Sequence, residues 1–148
     1  MSYRHLLVPT DGSELSGKAV QQAVALSQSL GAQLTVFHVQ TNFPISLVGV
    51  GELVDPHTVD ALVTAARDNA QQILGEAAAV AQAAGVPCDQ DTVVHALPYA
   101  AIVEAASRHG ADLIVMASHG RRGLEGVLLG SETHRVLTHS ACPVLVVR

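Results

Sequence analysis

The stretch Asp112-Leu113-Ile114-Val115-Met116-Ala117-Ser118-His119-Gly120, followed nine residues later by Gly130-Ser131-Glu132-Thr133, decides the fold. It opens with an apolar run that is typical of a strand buried on both faces of a parallel sheet. The run leads into a glycine-containing loop, and a helix then begins at a Gly-Ser pair. A helix start offers unpaired N–H groups and partial positive charge, and glycine lets the backbone approach an anion closely. The stretch therefore predicts a pocket for nucleotide phosphates.

Strand and helix patterns alternate along the rest of the chain. We predict strands at residues 6–8, 34–39, 92–94, 112–116 and 143–147. Apolar residues at helical spacing predict helices at 13–31, 59–84, 98–110 and about 130–138. Because parallel strands need crossover helices, this order predicts an α/β fold, a five-stranded parallel sheet with helices on both faces. Ligands of such sheets bind beyond the carboxyl ends of the strands, which places 9–11, 39–40 and 117–120 at one rim.

Composition agrees with one domain and argues against several protein classes. The chain has 148 residues, of which 49% are hydrophobic and only 3% aromatic, so its core must be aliphatic. A formal charge of −5 without a lysine or arginine cluster argues against a nucleic-acid partner. No apolar run reaches membrane-spanning length and the first residues lack a signal-peptide core, so we expect a cytoplasmic protein without a membrane partner. Cys88 and Cys142 match no metal spacing and are expected to be reduced.

Residues 12–19 almost match the phosphate-binding loop G-x-x-x-x-G-K-[ST]. The last position is Ala19, which lacks the hydroxyl that ligates magnesium, and Glu14 would put a carboxylate inside the loop. The amphipathic helix pattern already includes Leu15 and Ala19. We therefore interpret this stretch as the start of a helix. No dinucleotide fingerprint, zinc-ligand spacing or nucleophile elbow occurs, and we assign no catalytic residue.

The pocket stretch resembles the motif of the nucleotide-binding universal stress proteins, G-x-x-G, nine residues, then G-[ST]. The matching positions are Ala117, Gly120, Gly130 and Ser131. The resemblance extends over the whole chain, through LLVPTDGS at 6–13, VFHV at 36–39 and CPVLVV at 142–147. It implies a single universal stress protein domain over residues 1–148. We expect a Rossmann-like fold of the adenine nucleotide α-hydrolase type, with strand order 3-2-1-4-5.

The resemblance also implies an ATP site, with Mg²⁺ or Mn²⁺ beside the phosphates. Pro9, Thr10 and Asp11 would face the adenosine half of ATP, and Val39 would contact the adenine through its backbone. Asp11 is also the candidate metal residue, acting through the bound nucleotide.

For the phosphates, the resemblance implies close backbone approach at Gly120 and Gly130 and hydroxyl donors at Ser131 and Thr133. In this family the last strand pairs with its copy, which implies a homodimer through residues 143–147. The complete candidate nucleotide-binding set is Pro9, Thr10, Asp11, Val39, Met116, Ala117, His119, Gly120, Arg121, Gly130, Ser131, Glu132 and Thr133.

Several of these residues also have purely structural interpretations. Ala117 replaces the first glycine of the motif; this costs about 1–2 kcal/mol if φ is positive there, and otherwise the methyl only tightens the pocket. Asp11 either binds ribose hydroxyls or a cation, or starts the turn and caps the first helix. Ser131 either donates to phosphate or caps the last helix.

The same applies to charged and aromatic side chains near the pocket. Arg121, Arg122 and His119 either contact phosphate or are solvated. His38 is interpreted as a packed strand residue. The irregular segment 41–57 has three interpretations. It covers the pocket, it forms a surface for a partner, or it folds onto the second helix.

Three functions follow as hypotheses. The first is an ATP-binding regulator or sensor of the stress response. The second is a slow ATPase, in which His119, or Asp11 with a metal ion, would position water. The third is a dimeric interaction module with an empty pocket.

Overall fold

The computed structural model describes residues 2–41, 55–120 and 129–148. The strands are β1 (His5–Pro9), β2 (Gln33–Gln40), β3 (Cys88–Val94), β4 (Leu113–Ala117) and β5 (Val144–Val147). The helices are α1 (Glu14–Leu30), α2 (Pro56–Ala83), α3 (Pro98–His109) and α4 (Ser131–His139). The strands pair in parallel in the order β3-β2-β1-β4-β5, which confirms the predicted sheet.

The central strands are buried on both faces because helices cover both sides of the sheet. Leu6, Val8 and Val115 pack against α1 and α2 in one cluster of buried residues. Leu7 and Phe37 point to the opposite face and pack against α3 and α4 in a second cluster. The alternation of neighbouring residues between two cores explains why these strands are continuous apolar runs.

Local signals fix the helix ends. Ser13 is the N-cap of α1, and its hydroxyl accepts the N–H of Ser16 at 3.3 Å. Gly31 ends α1 in the left-handed conformation at φ 64°, as Gly110 ends α3 at φ 66°. The helix includes Glu14 to Ala19, which confirms that residues 12–19 do not form a phosphate-binding loop.

β1 and β2 each extend one residue beyond the prediction at both ends, and β3 is longer than predicted by four residues. The sequence pattern indicated residues 92–94, whereas β3 begins at Cys88 and pairs with β2 from there to Val94. The missed half contains Asp89, Gln90 and Asp91. These polar residues are compatible with β3 because it is an edge strand.

The predictions for the irregular segment 41–57 and for membrane-spanning helices can be compared only with the described residues. Most of the irregular segment 41–57 lies in residues 42–54, which are outside the described residues. Within the described ranges, no helix has both the length and the apolar content that a membrane crossing requires.

Candidate functional site

The predicted rim lies where the strand order reverses. From β1 the chain moves outward to β2 and β3, then crosses to the other side of β1 to form β4 and β5. Helices that leave in opposite directions open a crevice at the carboxyl ends of β1 and β4. Pro9 is the last residue of β1 and Ala117 the last of β4, so both lie at this edge of the sheet.

The turn after β1 is held by a network of hydrogen bonds. Asp11 Oδ1 accepts the N–H of Ser13 at 2.9 Å, and Gly12 adopts a φ of 79° that favours glycine. Ser16 Oγ donates to the carbonyl of Ser13 at 2.9 Å, so the Thr10 hydroxyl is the donor in its 3.0 Å contact with Ser16 Oγ. The Thr10 side chain therefore forms its hydrogen bond within the turn. Asp11 stabilises the turn with one carboxylate oxygen, as its structural interpretation predicts.

Gly120 brings the loop after β4 against this turn. A Cβ atom placed on Gly120 would lie 2.6 Å from Asp11 Oδ2, closer than two such atoms can approach. A side chain at position 120 would therefore displace the Asp11 carboxylate. The backbone of Gly120 and the Asp11 carboxylate form one wall of the crevice.

Ala117 adopts an extended conformation, and no described residue other than glycine has a positive φ. The backbone penalty considered for this substitution therefore does not arise. Its methyl group is 7% exposed and packs in the core on the α1 and α2 face. Its carbonyl accepts the Thr133 hydroxyl at 2.9 Å, which ties α4 to the end of β4.

The start of α4 closes the other side of the crevice. Gly130 is the N-cap, and its N–H donates to the Ser118 carbonyl at 2.6 Å. A Cβ atom on Gly130 would lie 3.1 Å from His119 Cα and 3.2 Å from the Ser118 oxygen. No described side chain caps this helix, so the interpretation of Ser131 as a cap is wrong; Ser131 is the first helical residue and is exposed. Among the described residues, no side-chain oxygen caps the first-turn amides of α4.

Glu132 faces away from the crevice. Its Oε2 accepts the N–H of Tyr99 at 2.7 Å and its Oε1 accepts from Arg135 Nη1 at 3.3 Å. Because the N-cap of α3 is Leu97, which has no capping oxygen, Glu132 supplies one from a neighbouring helix. Only the backbone of Glu132 is left for the site.

Three further candidates have different environments. Met116 is 6% exposed and packs in the core against α3 and α4. His119 is half-buried, with Nδ1 3.3 Å from Ser118 Oγ. Arg121 and Arg122 lie outside the described residues.

The end of β2 forms the third side. The pairing of β1 with β2 ends at Pro9 opposite Phe37, so Val39 extends two residues beyond it. His38 is 9% exposed, and its Nδ1 is 2.8 Å from the carbonyl oxygen of Thr10. This confirms His38 as a packed strand residue. The bond to Thr10 was not predicted, since no local pattern signals a contact between residues 28 positions apart.

A second group of ionisable residues lies on β1, on β3, at the end of α3 and just before β4. Burial, and then His109, lower the pKa of His5. Burial raises the pKa of Asp91, but hydrogen bonds from His109 and Arg108 outweigh it and lower the pKa overall. The Asp112 carboxylate accepts the backbone N–H groups of Arg4 and His5, and its pKa is lowered because these bonds outweigh burial. None of these groups belongs to the candidate nucleotide-binding set.

Metal binding at the crevice would depend on the ligand. Among the described residues, no three histidine, cysteine or acidic side chains are grouped to hold a metal ion. A divalent ion at Asp11 would take its other ligands from water or from the phosphate oxygens of a bound nucleotide.

Comparison with known proteins agrees with this architecture. Residues 2–148 match the model of the Universal stress protein family. The chain is 34% identical to the universal stress protein YxiE of Bacillus subtilis, covering 99% of each chain. It resembles the structure of MJ0577 from Methanocaldococcus jannaschii with a TM-score of 0.77 at 31% identity, covering 99% of this chain and 96% of that one. It also resembles a universal stress protein in complex with cAMP, with a TM-score of 0.75 at 29% identity, covering 100% and 99%. The chain belongs to the universal stress protein family.

Proposed function

We propose that this universal stress protein binds ATP in the crevice between β1, β2 and β4 and acts as a nucleotide-dependent regulator or sensor in the stress response. The observation that carries the proposal is the start of α4, where Gly130 packs against the backbone of residues 118 and 119 without a side-chain cap. A related protein of 29% identity has been solved in complex with cAMP, which supports an adenine nucleotide as the ligand.

The phosphates would lie at the first turn of α4. Its first-turn amides, which no described side chain caps, and the helix dipole favour an anion there. Gly120 and Gly130 let the loop after β4 pack closely against Asp11 and against the start of α4. The exposed Ser131 hydroxyl can donate to a phosphate oxygen. Since Arg135 and the Tyr99 N–H engage the Glu132 carboxylate, Glu132 is oriented away from the phosphates.

The nucleoside would lie across the ends of β1 and β2. Asp11 lies beside Gly120, where a carboxylate can accept ribose hydroxyls or share Mg²⁺ or Mn²⁺ with phosphate oxygens. The backbone of Val39 extends beyond the β1 ladder and can contact the adenine.

We also propose a homodimer through β5. The two edges of the sheet differ in chemistry: β3 carries Asp89 and Asp91, whereas β5 is Val144–Val147 with no charge. Charged residues protect an edge from pairing, and an apolar edge favours it. Leu145 is 38% exposed in the single chain and would be buried by a twofold copy.

Two measurements test the nucleotide proposal. Acid extraction of natively purified protein, followed by mass spectrometry, is expected to release an adenine nucleotide. Titration calorimetry on nucleotide-free protein should then give one site per chain for ATP with Mg²⁺, which Gly120→Ala weakens because its Cβ displaces Asp11. Gly17→Ala is the matched control, since its Cβ meets no described atom within 4 Å. No extracted nucleotide and no binding heat would reject the proposal.

A further inference from the structure

The hydrogen-bonding direction of Val39 follows from its neighbours in β2. In a parallel strand, successive residues direct their N–H and C=O groups alternately to the two flanking strands. Phe37 faces β1, because its carbonyl accepts the N–H of Thr10 at 2.8 Å. Gln40 faces the β3 side, because its carbonyl accepts the N–H of His95 at 3.0 Å. Val39 therefore directs its N–H and C=O to the β1 side, into the crevice.

The next rung of the β1–β2 ladder would join the Val39 N–H to the Thr10 carbonyl. The register sets this expectation, since Pro9 is paired with Phe37 and the Thr10 N–H is still bonded to Phe37. In the described part of the chain, the Thr10 carbonyl accepts from His38 Nδ1 at 2.8 Å instead. A carbonyl oxygen can only accept, so Nδ1 carries the hydrogen.

We propose that His38 is a positioning residue that keeps the Val39 N–H out of the ladder and open to an acceptor nitrogen of the adenine ring. This inference rests on the proposed nucleotide function and concerns base specificity. An adenine edge presents a ring acceptor beside an exocyclic amine donor, which matches the N–H and C=O of one residue. Hypoxanthine reverses both groups, and in the same pose it would place donor against donor and acceptor against acceptor.

Burial supports this assignment. His38 is 9% exposed and Thr10 is 7% exposed, so neither partner of the bond can readily exchange it for water. The Thr10 hydroxyl accepts the N–H of Gly12 at 3.3 Å and contacts Ser16 Oγ, which fixes the residue from its other side. A side chain without a donor at position 38 would leave the Thr10 carbonyl unsatisfied, and the nearest replacement donor on the ladder is the Val39 N–H.

The test combines amide hydrogen exchange by NMR with nucleotide affinity. In ligand-free wild-type protein, the Val39 amide should exchange faster than that of Phe37, and adenosine monophosphate should slow it. In His38→Leu, the ligand-free Val39 amide should slow toward the Phe37 rate. The affinity ratio of adenosine to inosine monophosphate should fall about ten-fold, as expected for one lost hydrogen bond.

Two further variants separate positioning from general damage. His38→Asn keeps an N–H donor close to the position of Nδ1 and should retain the wild-type ratio. His139→Leu is the matched control, since His139 Nδ1 also bonds a backbone carbonyl, that of Arg135, at 2.8 Å on α4. It should change neither the ratio nor the exchange of Val39.

The outcomes distinguish this inference from the proposed function. Equal protection of Val39 and Phe37 in ligand-free wild-type protein would overturn the role of His38, even if the variants do not fold. An unchanged ratio of the affinities for adenosine and inosine monophosphate in His38→Leu would also overturn the role of His38. Failure of wild-type protein to bind either nucleotide would reject the proposed function, while the ligand-free exchange would still test the displaced ladder bond.

Discussion

Substitution of Gly130 by alanine tests the packing that shapes the crevice. The φ of Gly130 is −68°, so alanine meets no backbone penalty and the effect is steric. The new Cβ would lie 3.1 Å from His119 Cα, 3.2 Å from His119 Cβ and 3.2 Å from the Ser118 oxygen. Ordinary carbon contacts lie at about 3.5–4.0 Å, so α4 and the loop must separate by about 0.3–0.5 Å.

The expected cost follows from these contacts. Overpacking of this kind lowers the free energy of unfolding by about 1–3 kcal/mol. Replacing glycine by alanine also reduces the conformational freedom of the unfolded chain, which raises the free energy of unfolding by about 0.4–1 kcal/mol. A net loss of about 1 kcal/mol lowers the thermal midpoint by about 2–4 °C for a domain of this size. The separation also lengthens the 2.6 Å bond from Gly130 N–H to Ser118 O and displaces the first-turn amides, so nucleotide binding should weaken about ten-fold.

The assay is thermal and urea unfolding by circular dichroism, with nucleotide titration on the same samples. Gly75→Ala is the control: Gly75 lies within α2, and its Cβ would meet no described atom within 4 Å. It should stabilise the protein by about 0.5–1 kcal/mol without changing affinity. If Gly130→Ala stabilises the protein as Gly75→Ala does, or binds nucleotide as wild type does, the steric reasoning is wrong.

Three further predictions concern stability. Because the pKa of His5 is lowered in the folded protein, the unfolded chain protonates His5 at a higher pH than the folded chain does. The thermal midpoint should therefore fall as the pH drops below about 6.5, and His5→Gln should make the midpoint less dependent on pH. An unchanged slope in His5→Gln would contradict this. Ser27→Ala should raise the free energy of unfolding by about 1 kcal/mol, because its buried Oγ has no partner among the described residues; destabilisation would count against it. Ser13→Ala should lower the free energy of unfolding by about 1 kcal/mol, because the α1 cap is lost. Ser29→Ala, at an exposed site within the same helix, should not lower it. Equal effects of the two variants in urea unfolding would show that the Ser13 cap does not stabilise the protein.

Features of the fold that depend on neighbouring residues could be predicted from the sequence. The cap at Ser13, the helix end at Gly31 and the apolar strands follow from local chemistry, and the strand order came from the family resemblance. The first half of β3 was missed, because an edge strand tolerates the polar residues that normally interrupt a strand pattern.

Contacts between distant elements could not be predicted. Glu132 was a candidate ligand residue, yet its carboxylate caps α3 at Tyr99. The effect of Ala117 depended on a backbone angle that only the structure supplies. The bond from His38 to Thr10 joins two strand ends, and spacing along the chain carries no signal of it.

A crystal structure of the protein grown with excess ATP and Mg²⁺ would show directly whether the crevice holds the nucleotide. We expect the phosphates at the backbone N–H groups at the start of α4, beside Gly120, and the adenine edge at Val39. A crevice filled by side chains, with no space for three phosphoryl groups, would contradict it.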